Sequence, residues 1–130
     1  MIYTSCPGSC PLMMGDLKLL EKGLSTAAKS RVRFAVFSFD SKSDSPEKLK
    51  IFAQKHGVDL KRWTFFHGPT SSVRELAALL GVRFKLQEDG NFDHSNAIVI
   101  LDPDGVIAHL QIGLRQKPDD SIKALEALSK

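Results

Sequence analysis

The chain has 130 residues, enough for one domain that buries about two-thirds of its unfolded surface. With 42% hydrophobic and 25% charged residues it is patterned as a folded globular protein, not a disordered one. No apolar run reaches the roughly 18 residues that a membrane span requires. Eighteen Lys+Arg against fifteen Asp+Glu leave a charge of +3, and the cations are scattered, with Lys29, Arg31 and Arg33 the densest group and Lys61 and Arg62 next. A nucleic-acid footprint needs a stripe of cations interleaved with aromatics, so none is expected. Two cysteines cannot make a disulfide scaffold; their role is local chemistry.

Met1-Ile2-Tyr3-Thr4 reads as a strand remnant. Neither a cationic leader nor an apolar core of a signal peptide follows it, and any tether or targeting segment is expected to lie outside these residues. Pro11 suits a first helical position with Cys10 as its cap, and Met13, Leu17, Leu20 and Leu24 recur at helical spacing, which predicts a helix over 11–29. Val32 to Phe39 is almost continuously apolar, as for a central strand buried on both faces. Asp44-Ser45-Pro46-Glu47 opens a second helix; Leu49, Phe52, Ala53 and His56 share its face, and Gly57 stops it. A third helix starts at the capping box Ser72-x-x-Glu75 and ends at Gly81.

Val82 to Leu86 alternates as a short strand, followed by a polar loop over 87–96. Ala97 to Leu101 is a second buried strand. Asp102-Pro103-Asp104-Gly105 is a turn, and Val106 to Ile112 returns as its hairpin partner with one wetter face. A last helix covers 119–128. The order β-α-β-α-α-β-β-α, with a parallel crossover first and an antiparallel hairpin last, predicts a single α/β domain over 1–130 of thioredoxin-like plan: a central mixed sheet covered by helices on both faces.

The chemical signal is Tyr3-Thr4-Ser5-Cys6-Pro7-Gly8-Ser9-Cys10-Pro11, between a strand end and a helix start. Unpaired N–H groups and the partial positive charge of a helix N-terminus favour thiolate over thiol. The C-x3-C spacing lets the two sulfurs converge on one soft cation or close into a disulfide. The bland alternative is two small buried residues that lie close by chance. Four histidines compete as a third ligand. His56 lies on an apolar helix face, His67 precedes Gly68-Pro69 in a turn, and His109 falls on the wetter parity of its strand. His94 stands in the polar loop directly before strand 97–101, whose start faces the cysteine loop in a thioredoxin-like sheet. Two thiolates and one imidazole suit Cu(I), whereas a structural zinc site would want a fourth protein ligand. Met13 fits the core stripe; Met14, one turn beyond Cys10, offers a further thioether.

Three segments, YTSCPGSCP, SFDSKSDSPEKL and DHSNAIVILDPDG, together resemble the Sco/SenC family of copper-binding, thioredoxin-like proteins, and the resemblance runs from Met1 to about Gly113. It implies copper, as Cu(I) or Cu(II), bound by Cys6, Cys10 and His94. It also implies a role in assembling the binuclear copper centre of cytochrome c oxidase, with a copper-receiving oxidase subunit or another copper protein as partner. Family members are generally membrane-tethered and face the periplasm or the mitochondrial intermembrane space; a monomer is expected. Asp40 and Asp44 match acidic family positions and are adequately explained by loop capping and turns. Two features depart from the pattern: Gly8 stands where an acidic residue often follows the first Cys-Pro, and the family's first strand and preceding hairpin are largely missing, which leaves a sheet edge or core face uncovered.

The competing function is a thiol-disulfide oxidoreductase, or a redox-sensing module, acting through Cys6 and Cys10. Thioredoxins, however, use C-x-x-C and a cis-proline facing the active site, and no proline lies between Pro69 and Pro103.

Overall fold

A computed structural model describes residues 1–130, apart from the side chain of Ser9. The first helix, α1 (Ser9–Gly23), starts from Gly8 rather than from Cys10, so Cys10 and Pro11 both sit inside its first turn. Pro11 is tolerated there because the first four N–H groups of a helix have no internal partner. The single helix expected over 11–29 divides in two. Ser25 caps α2 (Thr26–Arg31) by accepting from the Ala28 N–H at 3.2 Å, and its own N–H donates to Glu126 at 2.6 Å. Gly23 ends α1 where the last helix passes closest: a Cβ there would lie 2.4 Å from Ile122 Cδ1.

Strand β1 (Phe34–Phe37) runs into α3 (Pro46–His56) and on to β2 (Trp63–Phe66), which pairs parallel to β1 with Phe34 opposite Trp63. Ser45 caps α3 by accepting from the Lys48 N–H, Pro46 sits in its first turn, and Gly57 closes it at φ 65°. The four residues of β2 lie between Lys61-Arg62 and His67-Gly68-Pro69, too short a run for the sequence pattern to announce. What holds them is stacking across the pair: Phe34 on Trp63 at 4.4 Å and Phe37 on Phe66 at 4.6 Å. The buried Trp63 indole N–H donates to Glu21 Oε2 at 3.2 Å, and Glu21 also pairs with Arg62.

Helix α4 (Thr70–Leu80) begins after Pro69 without a side-chain cap, so Ser72 is already inside the helix and the expected capping box does not form. Pro69, at φ −66°, pre-sets the helical start two residues earlier. Strands β3 (Phe84–Leu86) and β4 (Phe92–His94) then form an antiparallel hairpin with Phe84 opposite His94. The segment expected as a loop thus carries a strand, closed by the Gln87 N–H to Asn91 carbonyl bond at 2.7 Å.

Strands β5 (Ala97–Leu101) and β6 (Ile107–Ile112) form the second hairpin, and the turn is as expected: Asp102 Oδ1 accepts from the N–H groups of Asp104 and Val106. The wet face of β6 is the opposite of the expected one. His109 is half-buried and Gln111 buried, while Leu110 and Ile112 face outward. The cause is α5 (Asp119–Leu128), whose buried Ser121 hydroxyl donates to Gln111 Oε1 at 2.7 Å and so selects the polar parity for the inside.

The strands pair as β1–β2, β3–β4 and β5–β6, and Ile2 adds a parallel bridge to Ser38. Strands β1 and β5 were expected to be buried on both faces. Phe34 and Val36 are buried, but Ala35 is exposed; Ile98 and Ile100 are buried, but Leu101 is exposed. The openness comes from a cleft between these strands, which Ala35 and Leu101 line. The core lies between α1 and the strands, with Ile2, Met14, Leu20, Leu49 and Trp63 almost wholly inaccessible. None of the helices is long and apolar enough to cross a membrane among the described residues.

His56 ends α3 with its ring 4.4 Å from Phe52. Burial, then the charges of Lys18 and Lys55, hold its pKa below the ordinary imidazole value. The unfolded chain therefore binds this proton more readily than the folded one. Stability is lost as pH falls through about 6.5 and the loss levels off below the folded pKa. His56→Gln should flatten that part of a urea-midpoint-versus-pH profile, measured between pH 7.5 and 4.5.

Candidate metal centre

The cysteine loop leaves the Ile2 bridge and enters α1 within seven residues. Cys6, half-buried, precedes the helix; Cys10, buried, lies in its first turn. The Cys10 N–H donates to Cys6 Sγ at 3.4 Å. One of the helix's unpaired N-terminal donors is thus satisfied by sulfur, which favours the anionic thiolate at Cys6.

His94 reaches the same point from the end of β4. Its Nε2 lies 3.9 Å from Cys10 Sγ, and its Nδ1 lies 3.0 Å from the Ser95 carbonyl. A carbonyl can only accept, so the proton belongs on Nδ1 and the Nε2 lone pair faces the sulfurs. The two Sγ atoms and an imidazole nitrogen all lie within 4.8 Å of one another. With metal–ligand bonds of about 2.0–2.3 Å, three donors around one ion stand about 3.5–4 Å apart. The observed spacing needs only a small contraction to meet that. Met14, by contrast, is fully buried in the core.

Aromatic rings hold the imidazole. Phe39 lies 4.9 Å from it, and Tyr3 stands edge-on at 5.9 Å. Tyr3 in turn contacts Phe92 at 5.1 Å, and its hydroxyl accepts the Phe92 N–H at 3.3 Å. Burial raises the Tyr3 phenol above its ordinary pKa, the Phe92 amide pulls it the other way, and the charge on Cys6 together with a hydrogen bond to it adds to the rise. The phenol therefore stays protonated and available to Cys6 as a donor.

Asp44 is the residue whose importance the sequence understated. It is fully buried, and its carboxylate accepts from the Thr4 N–H at 2.9 Å, from the Thr4 hydroxyl and from the Ser38 hydroxyl at 2.6 Å. It ties the start of the cysteine loop to the end of β1. Asp40 serves the turn, as expected: its Oδ1 accepts the Ser43 N–H. Nothing in the D-S-P spacing at 44–46 distinguished a helix-opening Asp44 from this buried clamp. Asp44→Ala would orphan three donors and should cost about 3 kcal/mol in denaturant unfolding. Thr4→Val, which removes one donor with its own bond, should cost less than half of that.

The family model SCO1/SenC matches residues 1–130. The chain is 30% identical over 124 residues to the SCO1 protein homolog of Bacillus subtilis, covering 93% of this chain and 64% of that protein. It is 22% identical over 118 residues to a protein of Stutzerimonas stutzeri named for an inferred copper-binding role, covering 87% of this chain and 56% of the other. The chain thus spans less than two-thirds of these relatives. Among solved structures it superposes with a TM-score of 0.80 on BsSco, a protein described as having a disulfide switch and as belonging to the Sco family of cytochrome c oxidase assembly proteins; identity is 28%, covering 98% of this chain and 76% of that one. The thioredoxin-like α/β plan expected from the sequence is that of these neighbours. With the family model matched from its first residue to its last, the chain belongs to the SCO1/SenC family.

Proposed function

We propose that this domain binds one copper ion through Cys6, Cys10 and His94 and supplies it to an acceptor protein. The observation that carries the reading is the convergence of two sulfurs and an imidazole nitrogen within 4.8 Å. Soft thiolates select Cu(I), and three donors without a fourth protein ligand suit its low coordination number better than they suit zinc. The half-buried Cys6 and His94 leave the site approachable from one side, while buried Cys10 anchors the other. An acceptor thiolate arriving from that side can replace Cys6 or His94 before Cys10 lets go. The family resemblance supports the copper centre of cytochrome c oxidase as the acceptor, and a compartment facing the periplasm or intermembrane space as the place.

The test is titration of the reduced protein with Cu(I) in the presence of a competing chelator. One equivalent should bind, and X-ray absorption should give two sulfurs and one nitrogen. His94→Ala should weaken binding at least about tenfold, roughly 1.4 kcal/mol. Disulfide exchange with a generic substrate should change much less, because α1 still favours the thiolate. Intact copper affinity with lost thiol exchange would make His94 an acid–base residue and the protein an oxidoreductase.

The dithiol reading has support of its own in the proximity of the two sulfurs and in the disulfide switch of BsSco. Oxidation of Cys6 and Cys10 would form one S–S bond and pass two electrons and two protons to an oxidant. Only thiolates ligate the metal, so the two states exclude each other. Mass spectrometry should find the oxidised form two protons lighter, and that form should take up no copper until reductant is added.

A further inference from the structure

A groove of about 940 Å³ lies between the 40–43 loop, α4 and the β3–β4 hairpin. Its floor is apolar: Phe39, Ala77 and Val82 are buried there, with Phe84 and Phe92 half-buried beside them. Phe84 stacks on Phe39 at 5.2 Å, and Phe92 lies at the same distance from it. The Phe39 ring also lies 4.9 Å from the His94 imidazole. One aromatic cluster therefore floors the groove and supports the imidazole.

The rim is cationic. Lys42 comes from the loop, Arg74 from α4 and Arg83 from the approach to β3. All three are exposed, and none makes an ion pair among the described residues. Lys85 lines the groove as well, but its register partner across the hairpin is the exposed Asp93, which offsets it. The one acidic residue in the lining is Asp40, whose Oδ1 already accepts the Ser43 N–H. On α4, Thr70, Arg74 and Ala77 recur at helical spacing, and the small side chains of Ala77 and Ala78 leave the groove open. Ser41, in the opposite wall, buries its hydroxyl without a hydrogen-bond partner among the described residues, which leaves one donor for an incoming acceptor.

Resting on the copper reading above, we propose that this groove docks an extended acidic segment of the protein that takes copper from the metal centre. One aromatic or leucine side chain of that segment lies on the aromatic floor, and its carboxylates face Lys42, Arg74 and Arg83. Charge complementarity selects this occupant. Free phosphate answers the cations but leaves the aromatic floor wet, and an apolar segment covers the floor but takes the cations out of water unpaired. A second copy of this chain carries +3 itself and is repelled. Three cations around one groove form no stripe along which a nucleic-acid backbone could lie.

The experiment is a heteronuclear NMR titration of the reduced, metal-free chain with the capped peptide Glu-Asp-Phe-Glu-Asp-Leu. Amide shifts should concentrate at 40–43, 74–78 and 83–86, with a dissociation constant of about 1 mM or below. Raising the salt from about 50 to about 500 mM should weaken binding at least about threefold. The double substitution Lys42→Glu and Arg74→Glu changes two exposed positions and leaves the fold intact; it should weaken binding about tenfold or more. The peptide Glu-Asp-Ser-Glu-Asp-Ser, which lacks the apolar anchors, should bind as poorly to the unchanged chain. Silence at those amides, or equal binding of Lys-Lys-Phe-Lys-Lys-Leu, would overturn the proposal. So would the same shifts from inorganic phosphate, which would make the groove a small-anion site, or from a thymidine hexanucleotide. Docking of the peptide without Cu(I) uptake by the same chain would overturn the copper reading and not the groove. Cu(I) uptake without docking would overturn the groove alone.

Discussion

A buried carboxylate organises the approach to the candidate metal centre. Asp44 loses its hydration completely, and a lone charge in that position would cost several kcal/mol. It is tolerated because three donors converge on it, two from Thr4 and one from Ser38. These donors belong to segments forty and six residues away along the chain, so the clamp exists only when the fold is complete. Thr4 is two residues before Cys6. Once Asp44 fixes Thr4 and α1 fixes Cys10, the loop between them has little freedom left, and Cys6 Sγ is held on the N–H of Cys10.

The second contribution comes from the opposite side of the centre and depends on a strand rather than a loop. His94 ends β4, and its register partner is Phe84. Successive strand residues alternate between faces, so Phe92 and His94 point inward and Asp93 outward. The ring is then locked by Phe39 and Tyr3 and its tautomer by the Ser95 carbonyl. A donor on a mobile loop would have to be ordered when metal arrives; the His94 ring is ordered beforehand.

The two cysteines and the histidine that the fold brings together were legible in the sequence because their chemistry is carried by residue type and order. Two cysteines at a strand-to-helix junction and one histidine before a buried strand need no side-chain coordinates to be noticed. The helices with strong local signals, α3 with Ser45 and Gly57 above all, were equally plain. What escaped was whatever depends on partners distant in sequence. The three-residue β4 has too few residues for period-2 alternation to stand out. Strand β2 is held by Phe34 and Phe37 stacking from another strand. The face of β6 is chosen by Ser121 of α5, against the hydrophobicity of Leu110 and Ile112. Asp44 looked like a helix opener because the residues it binds cannot be inferred from its neighbours.

Residues 2–6 connect β1 with the candidate metal centre. Ile2 is bonded to β1, Tyr3 packs on Phe92 and His94, Thr4 is held by Asp44, and Cys6 follows. Each contact is made by a successive residue of one extended segment, so none can shift far without drawing on the next. The order at the candidate metal centre is therefore shared by Ile2, Tyr3 and Thr4, which carry it from β1 to Cys6.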